Sequence, residues 1–170
     1  MKTTDLTRTA LMTAVLCILA PLSIPVGSVA FSLATFVIYL MAYILKPRQA
    51  LAAIGIYLLL GAAGLPVFAG FLSGISRFAA PGGGYLIGYL FLAGIGGWFV
   101  QKYSAVSMQV LGMFLGTLMM YLLGTFWLAY TTGISFPSAL PAGMLIFLPL
   151  DILKIMFASY IGRKLQNHIK

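Results

Sequence analysis

The chain has 170 residues, of which 62% are hydrophobic and 7% charged, with ten Lys and Arg against two Asp and a formal net charge of +8. A soluble domain carries about a quarter charged residues, so this composition indicates a protein that lies in lipid. One His, one Cys and no Glu exclude a clustered metal site, and because no Gly directly precedes a Lys, a phosphate-binding G-x-x-x-x-G-K-[ST] loop is also excluded. No cofactor is expected.

Apolar runs follow one another along the chain and are separated by clusters of Gly and Pro. One membrane-spanning helix needs about 20 apolar residues, so this length holds about six of them in one domain over residues 1–170. The six predicted spans are Leu6–Leu22, Val29–Leu45, Gln49–Ala62, Gly84–Val100, Ala105–Tyr130 and Pro141–Leu165. The predicted fold class is therefore an all-α integral membrane protein with six transmembrane helices.

Two of these spans have alternative interpretations. The first run resembles a secretory signal peptide, because Lys2 and Arg8 lie near its start and a Pro-Val-Gly-Ser stretch follows it. The third run is short, and it either extends back through Pro47 or ends early where the segment after Gly61 breaks the helix.

The placement of cations predicts the orientation of the bundle. Cytoplasmic loops retain Lys and Arg, and six crossings put eight cations on one side against Arg77 alone in the opposite loops. Both termini are therefore predicted to be cytoplasmic, in a multi-pass protein of the cell membrane. Contact with anionic lipid of the inner leaflet accounts for the net charge, so no nucleic-acid partner is expected. The eight cations are Lys2, Arg8, Lys46, Arg48, Lys102, Arg163, Lys164 and Lys170.

The extracellular loop between the third and fourth predicted spans is long and apolar, at about twenty residues where bundle connections usually take two to eight. Phe71, Ile75 and Phe78 recur at helical spacing and predict a short amphipathic turn with Arg77 on its wetter side. We expect this loop to cover a pocket in the outer half of the bundle as a lid. Anchoring in the lipid interface is the alternative.

A cluster of glycines and tyrosines follows this loop. Gly82, Gly83 and Gly84 permit close backbone approach, and amides at the start of the next helix are candidate donors to a ligand carboxylate. A simple lid hinge is the alternative. Tyr85 and Tyr89 lie one helical turn apart and present an aromatic face, either as a pocket wall or as part of the interfacial belt.

Asp151 and Lys154 lie in the middle of the last predicted span. A helix that starts at Pro141 places Asp151 about 15 Å along the axis, near the bilayer midplane. A charge there costs at least ~2.5 kcal/mol on insertion scales, so both side chains are expected to face the bundle interior. Their i, i+3 spacing puts them on one face, where they either hold a polar ligand or form an ion pair that only fixes helix packing. Pro149 is expected to open the backbone ladder beside them.

The first predicted span carries two small residues, Ala10 and Ala14, one turn apart near its cytoplasmic end. Small residues at this spacing let two helices approach closely in lipid. The pair serves either packing within the bundle or docking of a partner helix.

Three segments carry a resemblance to a known family: Gly64–Phe68 (GLPVF), Pro81–Tyr89 (PGGGYLIGY) and Pro149–Lys154 (PLDILK). With the length and the six predicted spans, the chain resembles the BioY family, the biotin-specific substrate-binding (S) components of energy-coupling-factor (ECF) transporters. The resemblance covers nearly the whole chain. Gly82 and Ala80 stand where the family tends to carry Thr and Gly, so no hydroxyl contact to the ligand is expected from that turn.

The resemblance implies a protein that is not an enzyme. Such a protein captures biotin from outside and delivers it with a separate energy module, which contains a transmembrane coupling protein and two cytoplasmic ATPases. Ala10 and Ala14 match the stripe with which S components dock to that module. An S component for another vitamin and a self-sufficient membrane carrier are the alternatives.

The resemblance also implies roles for the polar residues. Biotin joins a fused ureido and thioether ring system to an aliphatic carboxylate, so its site needs polar contacts at both ends. Asp151 is the candidate acceptor for a ureido N–H, and Lys154 either donates to the ureido oxygen or balances the charge.

The remaining candidates surround the rest of the ligand. Phe68, Tyr85 and Tyr89 are the candidate walls around the biotin rings. The amides of Gly82–Gly84 or the guanidinium of Arg77 are the candidates for contact with the carboxylate.

Overall fold

The computed structural model describes residues 3–26 and 29–169, so the predicted cytoplasmic cations Lys2 and Lys170 lie outside the described residues. Nearly all the described secondary structure is helical. In chain order the elements are α1 (Thr3–Leu19), β1 (Ser23–Val26), β2 (Val29–Ser32), α2 (Ala34–Ile44), α3 (Pro47–Ala62), α4 (Ser76–Ala79), α5 (Gly83–Lys102), α6 (Val106–Thr132), α7 (Phe136–Leu140), a π-helical turn (Pro141–Leu145) and α8 (Leu148–Ile169).

Within the described ranges, three helical segments are long and apolar enough to cross a membrane: Gly83–Lys102, Val106–Thr132 and Phe136–Gln166. The last segment joins α7, the π-helical turn and α8. The helices α2 and α3 are apolar but shorter. The prediction of a mostly helical membrane protein is thus confirmed at this level. The helix α3 begins at Pro47, so the first of the two alternatives for the third run is the observed one; proline suits the first turn because the N–H it lacks would have no partner there.

The segment between α1 and α2 differs from the prediction. We expected a helix from Val29, but Val29–Ser32 forms strand β2, which pairs antiparallel with β1. Pro25 in β1 has no N–H and a fixed φ, so it suits an edge strand better than a helix interior. The hairpin shortens α2 to 11 residues.

The helix α2 lies at the centre of the bundle, in contact with α1, α5 and α8. Most of its residues are buried, and Val37, Ile38 and Met41 are each at most 1% exposed. The helix α1 packs against α2 and α3 with Leu16 fully buried, so the first apolar run contributes to the core. The buried polar residues Thr35 and Tyr39 on α2 are therefore enclosed on several sides.

Glycines bring α5 and α6 into close contact. A Cβ atom on Gly88 would lie 2.7 Å from Met120 Cγ and 3.0 Å from Met120 Cα. A Cβ on Gly84 would likewise lie 2.9 Å from the carbonyl oxygen of Leu123. Small residues at these positions allow the two backbones to approach as closely as they do.

Gly88→Ala is therefore expected to lower the thermal unfolding midpoint of the purified protein by about 2 to 12 °C, because overpacking a close contact costs roughly 1–3 kcal/mol. Gly94→Ala on the same helix is the matched control, since the nearest atom to its added Cβ lies 4.0 Å away. Equal midpoints for the two variants would contradict close α5–α6 packing at Gly88.

The loop between α3 and α5 follows a strongly turned path. Gly64, Gly70 and Gly74 adopt positive φ angles of 111°, 74° and 98°. The amide of Gly70 donates to the carbonyl oxygen of Pro21 at 3.0 Å, and that of Gly74 donates to Gly61 at 2.7 Å. These bonds tie the loop both to the segment leading into the hairpin and to the end of α3.

The predicted amphipathic turn in this loop is wrong in its register. Only residues Ser76–Ala79 are helical, and Phe71 and Ile75 are 63% and 73% exposed. Phe78 alone of the three packs against the core, with its ring edge-on to Phe68 at 5.9 Å. The cause is the left-handed backbone at Gly70, Phe71 and Gly74, which prevents a continuous helical face.

Basic residues gather at one end of the bundle, where the first turn of α1, the start of α3 and the last turns of α2, α5 and α8 meet. A cavity of about 170 Å³ at this end, called the basal cavity here, is lined by Asp5, Arg8, Tyr43, Ile44, Lys46, Gln49, Gln101 and Gln166. The described beginning and end of the chain therefore lie on the same side, as the charge placement predicts.

Candidate functional site

Asp151 and Lys154 lie on the first turns of α8 and face the interior of the bundle. The Asp151 side chain is 2% exposed, and Lys154 Nζ lies 3.0 Å from Asp151 Oδ1. The π-helical turn and residues 146–147 interrupt the helix just before α8, close to where Pro149 predicts a break. The pair thus lies near the start of α8, directly after the interruption and inside the bundle.

Side chains from three helices, α2, α6 and α8, contact the carboxylate oxygens of Asp151. Thr35 on α2 donates to Oδ1 at 2.8 Å, Tyr121 on α6 donates to Oδ2, and Lys154 contacts Oδ1. A carboxylate has about four acceptor positions, so these contacts leave one of the two positions on Oδ2 unused. The site retains capacity for one further donor.

The ammonium of Lys154, unlike the carboxylate of Asp151, has no unused hydrogen-bonding position. Its ammonium donates to the carbonyl oxygen of Ser32 at 2.7 Å and to Thr35 Oγ1 at 2.8 Å, besides its contact with Asp151. It also lies 3.8 Å from the centroid of the Phe31 ring. An ammonium has three N–H groups, and all three are engaged here. Lys154 therefore neutralises Asp151 and fastens strand β2 to α8.

An inner cavity of about 40 Å³ borders this pair. Most of its wall is aromatic: the Tyr121 and Phe147 rings stack with centroids 6.4 Å apart, and Tyr85 meets Tyr121 edge-on at 6.1 Å. The lining comprises Val29, Ala30, Phe31, Ser32, Thr35, Tyr85, Tyr89, Met120, Tyr121, Phe147, Asp151 and Lys154.

A larger outer cavity of about 180 Å³ adjoins the inner one and shares four lining residues with it, Val29, Ala30, Tyr85 and Tyr89. The loop between α3 and α5 contributes Phe68 and Arg77 to this cavity. Among the described residues that line it, Arg77 alone carries a charge. The two cavities thus lie between a neutral ion pair on one side and a single cation on the other.

The tyrosines predicted as walls are held in place by different contacts. Tyr85 donates its hydroxyl proton to the carbonyl oxygen of Gly143 in the π-helical turn at 2.7 Å, and its ring fills the space beside Gly124. Tyr89 is 8% exposed and lines both cavities. Both rings therefore face inward rather than toward the lipid interface.

The three glycines predicted as amide donors have separate positions. Gly82 lines the outer cavity, whereas Gly83 and Gly84 line neither cavity. Gly83 donates its amide to Ala80 at 2.8 Å and packs against the backbone of Phe78. The last two glycines of the cluster therefore serve close packing of α5.

Ala10 and Ala14 are exposed on the outside of α1. Their neighbours Leu11 and Ile18 are 62% and 68% exposed, so this face of α1 is a continuous apolar surface with two small residues in it. The two alanines do not pack against the described part of the bundle, because the buried residues of α1 lie on its other side.

Sequence reasoning missed the residues that complete the site. Thr35 and Tyr121 are ordinary residues for an apolar helix, and they meet Asp151 across separations of 116 and 30 positions. The hairpin residues that line both cavities, Val29 and Ala30, were assigned to a helix. A signal for the hairpin does exist, since Gly-Ser between two apolar segments of four residues is typical of a two-residue β-turn.

The chain is similar to known proteins in both sequence and structure. The sequence model described as the BioY family matches residues 1–170. The chain is 36% identical to the biotin transporter BioY2 of Lactococcus lactis over 95% of this chain and 89% of that protein. It is 33% identical to the biotin transporter BioY of Thermotoga maritima over 96% of both. A crystal structure of the S-component for biotin from an ECF-type ABC transporter superposes with a TM-score of 0.91 at 30% identity, covering 98% of this chain and 92% of that one.

Proposed function

The chain belongs to the BioY family, and from that premise we propose that it is the biotin-binding S component of an ECF-type ABC transporter. It is a membrane transport protein and not an enzyme. The observation that carries the proposal is the buried Asp151–Lys154 pair, which borders an aromatic cavity instead of facing lipid.

The inner cavity suits the ring end of biotin. A ureido group is neutral and polar, and the Asp151–Lys154 pair beside it has no net charge. Binding of the ureido group therefore leaves no uncompensated charge in the bundle. The unused acceptor position on Asp151 Oδ2 receives a ureido N–H, while Lys154 keeps its contacts and holds the carboxylate charged. The rings of Tyr85, Tyr89 and Tyr121 surround the bicyclic system.

The outer cavity suits the carboxylate end. Arg77 is its cation, and the shared residues Tyr85 and Tyr89 bridge the two cavities along the ligand. Phe68 covers the aliphatic chain. Gly82 lines the same cavity, so its backbone is a further candidate contact, whereas Gly83 and Gly84 support the helix from behind.

Arg77→Gln is expected to weaken biotin binding by about two- to fivefold, because a partly exposed charge pair contributes up to roughly 1 kcal/mol. The ligand biotinamide, which has no carboxylate, is the matched control. Titration of both ligands into both proteins by isothermal calorimetry checks this expectation. The wild-type protein should prefer biotin and the variant should bind the two ligands equally; an unchanged preference in the variant would exclude Arg77 from carboxylate recognition.

Ligand entry requires the covering segments to move. Each cavity is smaller than the roughly 300 Å³ at which small-molecule pockets begin. The hairpin β1–β2 and the loop between α3 and α5 both line the outer cavity, and the Gly70–Pro21 hydrogen bond joins the loop to the segment that leads into the hairpin. We therefore propose that these two segments act together as the lid, with the Lys154–Ser32 bond as the latch on the hairpin.

The topology that fits this function has six crossings in the cell membrane: α1, α2, α3, α5, α6 and the joined α7–α8 segment, with both termini cytoplasmic. The meeting of five helix ends at the basic side supports it. The lid and the outer cavity then face outside, where the vitamin is captured. The exposed Ala10–Ala14 face of α1 docks to an energy module with a transmembrane coupling protein and two cytoplasmic ATPases.

Equilibrium binding of tritiated biotin to the purified chain tests this function. Saturable binding that unlabelled biotin displaces and that riboflavin and thiamine do not displace supports a biotin S component. Displacement by another vitamin instead would assign the chain to that vitamin. Biotin uptake by liposomes that contain this chain without ATPases would favour the self-sufficient carrier.

A further inference from the structure

The contacts of Lys154 leave it no N–H group for a ligand, although it lines the inner cavity. Its ammonium donates to the carbonyl oxygen of Ser32 at 2.7 Å and to Thr35 Oγ1 at 2.8 Å, and it lies 3.0 Å from Asp151 Oδ1. These contacts use all three N–H groups of an ammonium. The Phe31 ring covers the same group, with its centroid 3.8 Å from Nζ. Lys154 therefore acts on a ligand through its charge and not through a hydrogen bond.

The carboxylate of Asp151 supplies the acceptor that a ligand can use. Its side chain is 2% exposed, and Oδ2 accepts a hydrogen bond from Tyr121 and retains one further position. That position accepts an N–H whether the group that carries it is neutral or positively charged. A cyclic urea and a cyclic guanidinium present the same two ring N–H groups, so hydrogen bonding at Oδ2 does not distinguish them.

The charge of the inner cavity does distinguish these two groups. In the part of the chain that the structure describes, the titratable side chains near Asp151, besides Lys154, are Tyr39 of α2, Tyr89 of α5 and Tyr121 of α6. Tyrosine hydroxyls are ordinarily neutral below about pH 9. The site therefore has no net charge with Lys154 and one negative charge without it. A buried charge without a partner is strongly unfavourable, so this difference decides whether a cationic ligand binds.

From this arrangement we propose that Lys154 is a specificity-determining residue, which excludes cationic ligands from Asp151 so that the site binds a neutral ureido group and not a guanidinium. The inference rests on the proposed biotin site. The ammonium occupies the place beside the carboxylate that a ligand cation would take, and strand β2 holds it there through the carbonyl oxygen of Ser32. Arg77 does not contribute to this selection, because it lines the outer cavity and not the inner one.

Binding of 2-iminobiotin to the purified wild-type protein gives the first test. This analogue has a cyclic guanidine in place of the ureido group of biotin, with the same carboxylate, and it is protonated at neutral pH. At pH 7 it should bind at least about a hundredfold more weakly than biotin, because its positive charge has no partner in the site. Its affinity relative to biotin should then rise about tenfold per pH unit up to about pH 9, as the neutral form becomes more abundant. An affinity ratio near one, or a ratio that does not change with pH, would overturn the proposal.

Lys154→Gln gives the second test, because it removes the positive charge and leaves that of Asp151. The variant should bind 2-iminobiotin at least as tightly as biotin at pH 7, since the guanidinium now pairs with the carboxylate. The double variant with Asp151→Asn has no charge in the inner cavity and should again prefer biotin, by at least about tenfold. This return of the preference would show that the selection depends on charge and not on the contact between Lys154 and strand β2.

Lys102→Gln is the matched control, since Lys102 lines neither cavity and its ammonium lies 4.2 Å from the centroid of the Trp98 ring. It should keep the wild-type ratio of affinities. The wild-type ratio in Lys154→Gln as well would contradict the proposal. If Lys154→Gln is not monodisperse, Lys154→Met takes its place, and the pH dependence of the wild-type ratio is measured in either case.

The same titrations separate this inference from the proposed function. A wild-type protein that binds biotin but does not discriminate against 2-iminobiotin would contradict the role of Lys154 alone. A wild-type protein that does not bind biotin would contradict the proposed function.

Discussion

Asp151→Asn is expected to weaken biotin binding by at least about thirty-fold, equivalent to ~2 kcal/mol for removing one charge of a buried hydrogen-bonded pair. Either orientation of the amide replaces one acceptor oxygen with an NH₂ group, facing Tyr121 or facing Thr35 and Lys154. The unused acceptor position for the ligand is lost or its charge is removed. Binding of tritiated biotin to the purified variant measures the effect.

A second variant distinguishes two causes of weaker binding: loss of the acceptor for biotin, and the presence of a buried lysine without its carboxylate partner. Asp151→Asn combined with Lys154→Gln removes both charges, so no uncompensated ammonium remains in the bundle. Binding should stay weak in this double variant if Asp151 is the ligand's acceptor, and should recover if the lone lysine alone was harmful. Asp5→Asn is the matched control, since Asp5 lines neither the inner nor the outer cavity. Wild-type affinity in monodisperse Asp151→Asn protein would reject the role of this carboxylate.

Ala10→Trp combined with Ala14→Trp is expected to reduce ATP-dependent biotin uptake to background while biotin affinity stays at the wild-type value. Both residues are exposed, so the tryptophans point away from the bundle and prevent close approach of a partner helix. Uptake of tritiated biotin in cells that also produce the energy module measures the loss, and binding to the purified variant measures the affinity.

The control for docking is Leu122→Trp, which puts the same bulky ring on an exposed position of α6. It should leave both uptake and affinity unchanged. Uptake within about twofold of wild type for the Ala10→Trp, Ala14→Trp variant would mean that this face of α1 does not dock the module. This conclusion does not depend on the result for the control.

The burial of the Asp151–Lys154 pair is predictable from the sequence because exposing either charge to lipid costs too much free energy. A carboxylate and an ammonium three residues apart in an apolar run must face the interior, and they do. Their partners were not predictable, since Thr35 and Tyr121 reach Asp151 from α2 and α6. The family resemblance is confirmed, yet it supplied no information about this hydrogen-bonding arrangement.

Two other elements show where pattern reasoning fails. The hairpin is missed because Val29–Phe31 continues an apolar run into α2, and length and hydropathy alone merge the two. The amides of Gly82–Gly84 are predicted as candidate donors to the ligand, with a lid hinge as the alternative, but the same lack of a Cβ also serves helix packing, as at Gly84 against Leu123. A sequence cannot distinguish these two uses of glycine before the neighbouring helix is known.

The central claim is that the Asp151 carboxylate between α2, α6 and α8 recognises the ring end of biotin. A structure of the chain determined with biotin bound tests it most directly. We expect a ureido nitrogen within about 3.2 Å of Asp151 Oδ2, with the carboxylate of the ligand directed to Arg77. Biotin located elsewhere in the protein, or bound with its carboxylate against the ion pair, would contradict the account.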